Sequence, residues 1–171
     1  MDEASKFEWL KKPWMYTKPK NPEALNKWRQ QWVNYILHYC EKEAIHVINL
    51  IDLKRRAPFN KLDEKSFDDI IKSLTNRKFA KFYRNNNTLR IYWKSLDEWI
   101  RYVWKKANDS GKKILKGKND ILNLEPKLMG IPENDVLYII NGLVRQGFAR
   151  WIDKKTKTIK LVIKRENLER I

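Results

Sequence analysis

Residues 67–93, FDDIIKSLTNRKFAKFYRNNNTLRIYW, have a near-copy at 136–163, VLYIINGLVRQGFARWIDKKTKTIKLVI. A unit that recurs after about 70 residues must fold twice and bury a core of its own each time, which restricts the chain to a pair of small like domains. In the first copy Phe67, Ile70, Ile71 and Leu74 fall at i, i+3, i+4 and i+7, and Val136, Ile139, Ile140 and Leu143 repeat that spacing. Each set lies on one face of an amphipathic helix. Period-2 runs follow, Phe79/Lys81/Tyr83 interleaved with Ala80/Phe82, and Phe148/Arg150/Ile152 interleaved with Ala149/Trp151. These predict strands. The polar turns RNNN (84–87) and DKKTK (153–157) lead into second strands carrying Leu89/Ile91/Trp93 and Ile159/Leu161/Ile163, so each copy reads helix, strand, turn, strand.

A further helical pattern precedes each copy: Leu25, Trp28, Trp32, Tyr35, Ile36 and Tyr39, then Leu96, Trp99, Ile100, Val103 and Trp104. Between these, AIHVINLIDL (44–53) and KILKGKNDILNL (113–124) each read as a short strand running into a short helix, and Pro132 suits the first turn of the helix after it. Helix, strand, helix, helix, strand, strand is the order of a winged helix. The predicted fold class is α+β, two tandem winged-helix domains: an extended aromatic N-terminal docking segment at 1–22, the first winged helix at 23–95 and the second at 96–171. The boundary falls near Lys94 to Asp97 with no flexible linker.

Lys and Arg number 37 against 21 Asp and Glu, so the formal charge is 37 − 21 = +16, which suggests an anionic partner: nucleic acid, a lipid surface or an acidic protein. A merely solubilising basic surface is the alternative. Cys40 is the only cysteine, which excludes an intrachain disulfide and a cysteine metal cage. LYIINGLV (137–144) is far short of the roughly 20 apolar residues a bilayer span needs, and MDEASKFEW lacks the regions of a signal peptide. The expectation is a soluble intracellular protein.

A winged helix that reads DNA places its third helix in the major groove and needs Arg, Lys, Asn or Gln near that helix's start. The first copy instead carries Asp63, Glu64, Asp68 and Asp69, and the second Glu133 and Asp135, with Arg145 near its end. Favourable interaction with the helix dipole explains carboxylates there, and they would oppose phosphate oxygens. The positive charge is spread elsewhere: Lys11, Lys12, Lys18, Lys20, KRR at 54–56, KKILKGK at 112–118, and Lys154 to Arg165. Such a field supports weak RNA or anionic-membrane contact without sequence reading. For catalysis there is no Gly-rich phosphate loop and no nucleophile set with readable spacing. His38 and His46 read as structural or surface residues, and Cys40, on an aromatic-lined helix, as a packed thiol. No enzymatic activity, cofactor, metal or small-molecule substrate is expected.

The N-terminal FEWLKKPWMY (7–16) places Phe7, Trp9, Trp14 and Tyr16 before the first helix without helical or strand period. Either they fold back onto their own domain or they dock into a partner's groove, where aromatics supply most binding energy. This stretch resembles the FEWPWxY opening of the smallest subunit of ESCRT-II, the vacuolar-protein-sorting protein twenty-five family, with Leu10, Lys11 and Lys12 as an insertion. The likeness continues through Trp28, PFN (58–60), YW (92–93), DEW (97–99) and GIPENDVL (130–137). Order and spacing together carry it.

The resemblance implies a non-enzymatic arm of a Y-shaped complex acting in endosomal sorting, membrane budding or division. It implies docking on the two larger ESCRT-II subunits through Phe7, Trp9, Pro13, Trp14 and Tyr16. It also implies that residues 97–163 bind the N-terminal helix of an ESCRT-III subunit; a charged helical partner makes the basic residues Arg101, Lys105 and Arg150 the candidate contacts there. The family's paired-proline aromatic motif is reduced here to Pro19 and Pro22 in TKPKNP. A cytoplasmic protein recruited peripherally to membranes through its complex follows from the same likeness. A tandem winged-helix nucleic-acid binder, a transcription regulator or RNA-associated protein, is the competing expectation.

Overall fold

The computed structural model describes residues 6–162, so the sequence-based expectations for Ile163, Lys164 and Arg165 lie outside the described residues. The chain divides between Trp93 and Lys94 into two compact units. In the first, α1 (Pro22–Lys42) begins at Asn21, whose side chain accepts from the amides of Glu23 and Ala24 while Pro22 takes the first helical position. Its buried residues are Trp28, Trp32, Val33, Ile36 and Cys40, one helical stripe. Then come β1 (Val47–Asn49), α2 (Leu50–Arg55) capped by Asn49, and α3 (Glu64–Asn76) capped by Asp63. β2 (Ala80–Tyr83) and β3 (Asn85–Ile91) complete an antiparallel sheet of order β1-β3-β2.

The second unit repeats this with α4 (Leu96–Asp109), β4 (Ile114–Lys116), α5 (Gly117–Leu122), α6 (Glu133–Arg145), β5 (Ala149–Asp153) and β6 (Thr158–Leu161), in the sheet order β4-β6-β5. Ser95 and Glu98 form a capping box that starts α4. Every apolar position read as a helix stripe in the two third helices is buried, from Phe67 to Leu74 and from Val136 to Leu143. Pro132 is the N-cap of α6 rather than a first-turn residue. α4 and α6 approach closely at Gly142, where an added Cβ would lie 2.2 Å from Ile100 Cδ1. The corresponding position of the first unit, 69 residues earlier, is the small, buried Ser73.

Both third helices end alike. The amide of Phe79 bonds to the Leu74 carbonyl at 3.0 Å and that of Phe148 to the Leu143 carbonyl at 2.9 Å, each past a left-handed residue. This is the Schellman closure. The left-handed residue is Gly147 (φ 79) in the second unit but Lys78 (φ 61) in the first; likewise Gly111 (φ 70) ends α4 where Ala44 (φ 52) ends α1. A side chain at such φ is disfavoured by about 1–2 kcal/mol, partly offset by the greater unfolded-state freedom of glycine. Ala44→Gly and Lys78→Gly are each expected to raise unfolding free energy by about 0.5–1 kcal/mol, read as a higher urea midpoint at unchanged slope.

The first hairpin differs from its sequence-based description. The three asparagines are not the turn: Asn85–Asn87 open β3, and the reversal falls at Arg84, whose φ is 66°. Register jumps from Phe82↔Leu89 to Tyr83↔Asn85, so extra β3 residues bulge opposite β2. The Asn85 side chain accepts from the amide of Asn87 at 2.9 Å, a local bond that asparagine makes readily and that stabilises the bulge. In the second hairpin the expected polar turn is present, but Asp153 ends β5 and accepts from the Lys155 amide and the Thr156 hydroxyl, each at 2.8 Å. Those two bonds, the hydroxyl first, hold its carboxyl below the usual range.

Candidate docking surfaces

The N-terminal segment is not extended. Residues Glu8–Lys11 and Pro13–Tyr16 form two 3-10 turns packed onto the first unit. Trp9 meets Trp32 edge-on at 5.1 Å, Phe7 meets Tyr35 at 5.1 Å, and Tyr16 meets Trp32 at 5.6 Å. Aromatic faces and edges pair favourably in these geometries. Tyr16 donates its hydroxyl to the Leu10 carbonyl at 2.6 Å. The Met15 carbonyl accepts from both Trp28 Nε1 (2.7 Å) and Trp32 Nε1 (2.9 Å), so two buried indoles that need an acceptor fix this one backbone point. Aromatics without helical or strand period therefore follow the contours of α1 as folded-back side chains.

Charge completes the attachment. Lys18 donates its amide to Ser66 Oγ at 2.8 Å and its ammonium to the Asp69 carboxylate, which Arg29 grips with Nη2 at 2.8 Å and with Nε. Asp69 is therefore not a carboxylate on the exposed face of the third helix, as its sequence position suggested. It is buried, and the Arg29 bond first, opposed by burial and supported by Lys18, lowers its pKa to about 2. Because the folded value lies below the ordinary 3.8, the interaction stabilises the fold fully above that value and is lost as pH falls toward 2. The loss amounts to about 2 kcal/mol. Asp69→Asn is expected to flatten the stability profile between about pH 4 and pH 2 while lowering stability at pH 7, measured by urea unfolding across that range.

This packing sorts the five candidate docking residues. Tyr16 is buried, and Phe7 and Trp9 are half-buried against α1. Pro13 and Trp14 face solvent, Trp14 at 66% exposure, with Lys12 Nζ 5.7 Å from its ring centroid. In the second unit Arg101 and Lys105 are exposed one turn apart on the outer face of α4, whereas Arg150 lies on the outer face of β5, opposite Lys160. The three candidates occupy two elements. Within α4, Tyr102 and Lys106 hold Glu125, Lys106 at 2.9 Å; burial raises the Tyr102 hydroxyl pKa, and the bond to Glu125 adds to it.

On the third helices Asp63 is a cap, accepting from the Ser66 amide at 2.8 Å, and Asp135 is buried. Glu64 and Asp68 remain exposed, and Glu133 pairs with Lys118. His46 is buried and stacks on Trp93 at 4.9 Å, and Trp93 Nε1 bonds to the Ile45 carbonyl at 2.9 Å. Burial pushes the Cys40 thiol up to about 12, as for a packed thiol. Among the described residues no group of His, Cys, Asp and Glu could hold a metal, and no helix is long and apolar enough to cross a membrane.

Two winged helices in tandem, the first packed against an aromatic N-terminal segment, define a tandem winged-helix protein. The chain belongs to the family of ESCRT-II complex subunits, whose model matches residues 10–115. It is 24% identical over 118 residues to vacuolar protein-sorting-associated protein 25 of Xenopus laevis, a match covering 61% of this chain and 66% of that relative, just under two thirds of its length. A crystal structure of the VPS25 subunit of the endosomal trafficking complex ESCRT-II superposes with a TM-score of 0.66 at 18% identity, covering 95% of this chain and 98% of that one. A chain of the endosomal complex ESCRT-II (VPS22/VPS25/VPS36) superposes with a TM-score of 0.62 at 17% identity, covering 91% and 97%.

Proposed function

We propose that this chain is the arm subunit of an ESCRT-II complex, attached to two larger subunits through its N-terminal segment and first winged helix, and bridging to an ESCRT-III subunit through its second. It acts by binding alone, without catalysis, as a peripherally recruited cytoplasmic component of membrane remodelling and protein sorting. The observation that carries the attachment is Trp14. A tryptophan at 66% exposure beside an exposed proline, on a turn immobilised by two indole bonds to the adjacent Met15 carbonyl, is a preorganised anchor. Preorganisation limits the entropy lost on docking, and tryptophan is enriched among residues that dominate interfaces. The family membership supports the same assignment, and the likeness to a VPS25 structure over 95% of this chain supports the fold it requires.

For the bridge, Arg101 and Lys105 present two cations on one exposed face of α4, spaced to meet carboxylates on a facing helix. Co-expression with the two larger subunits should yield one complex on gel filtration. That complex should bind the N-terminal helix of the partner ESCRT-III subunit, and Arg101→Glu/Lys105→Glu should weaken this binding about ten-fold or more without altering the complex. Unchanged affinity would remove α4 from the bridge. The exposed Glu64 and Asp68 at the start of α3, in a groove-facing position for a DNA reader, weigh against the nucleic-acid alternative.

A further inference from the structure

On the second unit, the start of α5, the first turns of α6 and the wing that joins β5 to β6 line an open cleft of about 400 Å³, with Lys116, Lys118, Lys155 and Lys157 beside Glu133 and Leu137. These lysines come from segments far apart in sequence, joined by the amide of Gly117 bonding to the Lys157 carbonyl at 3.2 Å. Gly117 has φ +68, and a Cβ there would crowd the Thr156 carbonyl at 3.3 Å, so glycine allows the close approach. Lys116 also belongs to the solvent-facing side of the sheet, where Ile114, two residues before it on β4, faces Lys160, and Lys160 faces Arg150. Like charges directly opposite one another destabilise a sheet.

The nearby carboxylates are already engaged. Asp153 closes the wing turn, Asp120 accepts the Lys116 amide at 2.8 Å, and Glu133 holds Lys118. Lys116, Lys155 and Lys160 have no ion pair with a carboxylate among the described residues. The same strands expose two aliphatic side chains: Ile114 of β4, opposite Lys160, at 42% exposure, and Ile152 of β5, two residues from Arg150 and three from Lys155, at 53%.

We infer that this face docks on an anionic lipid surface, with the lysines at headgroup phosphates and carboxylates and Ile152 and Ile114 entering the interface. Cations around exposed aliphatic groups match the two layers of a membrane interface, where lysines reach outward and branched chains sit at the acyl boundary. A single-stranded nucleic acid would instead want exposed aromatic platforms, and the one aromatic of β5, Trp151, is half-buried under Lys157. The inference is independent of the arm assignment, because the surface belongs to this chain alone.

The test is sedimentation of the full 171-residue chain with phosphatidylcholine vesicles, with and without about 30 mol% phosphatidylserine, at about 150 mM salt. Binding to the anionic vesicles alone is expected. Each lysine near the surface is worth about five-fold in partitioning, so Lys116→Gln/Lys155→Gln/Lys160→Gln should lose on the order of 100-fold. A control triple with the same charge change in the first unit, Lys11→Gln/Lys12→Gln/Lys20→Gln, should lose far less. Ile152→Ser should lose several-fold at constant charge, and since all these positions are exposed or nearly so, thermal unfolding should not change. Equal losses from the two triples would overturn the inference in favour of diffuse charge. So would an unaffected Ile152→Ser, equal binding to uncharged vesicles, or no binding to the anionic vesicles; a wing-dependent shift of single-stranded RNA in its place would assign the surface to nucleic acid.

Discussion

Trp32→Ala is expected to lower the unfolding free energy by about 3–5 kcal/mol. Trp32 is fully buried and touches Trp9, Tyr16, Tyr35 and Phe59, with ring centroids between 5.1 and 6.1 Å. Truncation removes this contact area and leaves a void that the surrounding rings, fixed by one another, cannot close. The hydrogen bond is the smaller part of the loss, because Trp28 continues to satisfy the Met15 carbonyl at 2.7 Å. Trp32→Phe should therefore cost far less than Trp32→Ala. Urea unfolding of the two variants checks this, and near-equal costs would shift the weight from packing to the indole bond. Trp32→Ala should also expose the N-terminal turns to proteolysis, since Trp9 and Tyr16 both rest on that ring.

The duplicated fold was legible because its signals are local and repeated. The stripes of α3 and α6 recur at identical spacing, and the strands follow each at the same offset. A period-3.6 pattern that appears twice is hard to mistake for chance. The turns were less legible: asparagine favours a reversal, yet the chain reverses at Arg84 and spends its asparagines on a bulge. Which residue takes the left-handed φ depends on how the register between β2 and β3 settles, and cross-strand packing sets that register.

The packing of the N-terminal aromatics was not legible residue by residue. Nothing in the run of aromatics from Phe7 to Tyr16 separates the exposed Trp14 from the half-buried Trp9. That distinction arises from Trp28 and Trp32 converging on Met15, contacts 13 and 17 residues away in sequence. The Asp69 clamp was hidden for the same reason: its partners Arg29 and Lys18 lie 40 and 51 residues away. Acidic residues at a helix start look alike in sequence, whether they cap the helix, as Asp63 does, stay in solvent, as Asp68 does, or turn inward, as Asp69 does.

If the exposed anchor attaches this chain to its complex, Trp14→Ala should weaken binding to the two larger ESCRT-II subunits by about 2–4 kcal/mol, roughly 30- to 1,000-fold in Kd. Its own thermal unfolding should stay near that of the wild type, since the side chain is 66% exposed. Trp9→Ala should behave in the opposite way, lowering stability through lost contact with Trp32 and Tyr35. Isothermal titration of the assembled larger subunits with the wild type and Trp14→Ala is the direct measurement. A large affinity loss in a fully folded variant is the predicted result, and wild-type affinity in Trp14→Ala would contradict the proposed mode of attachment.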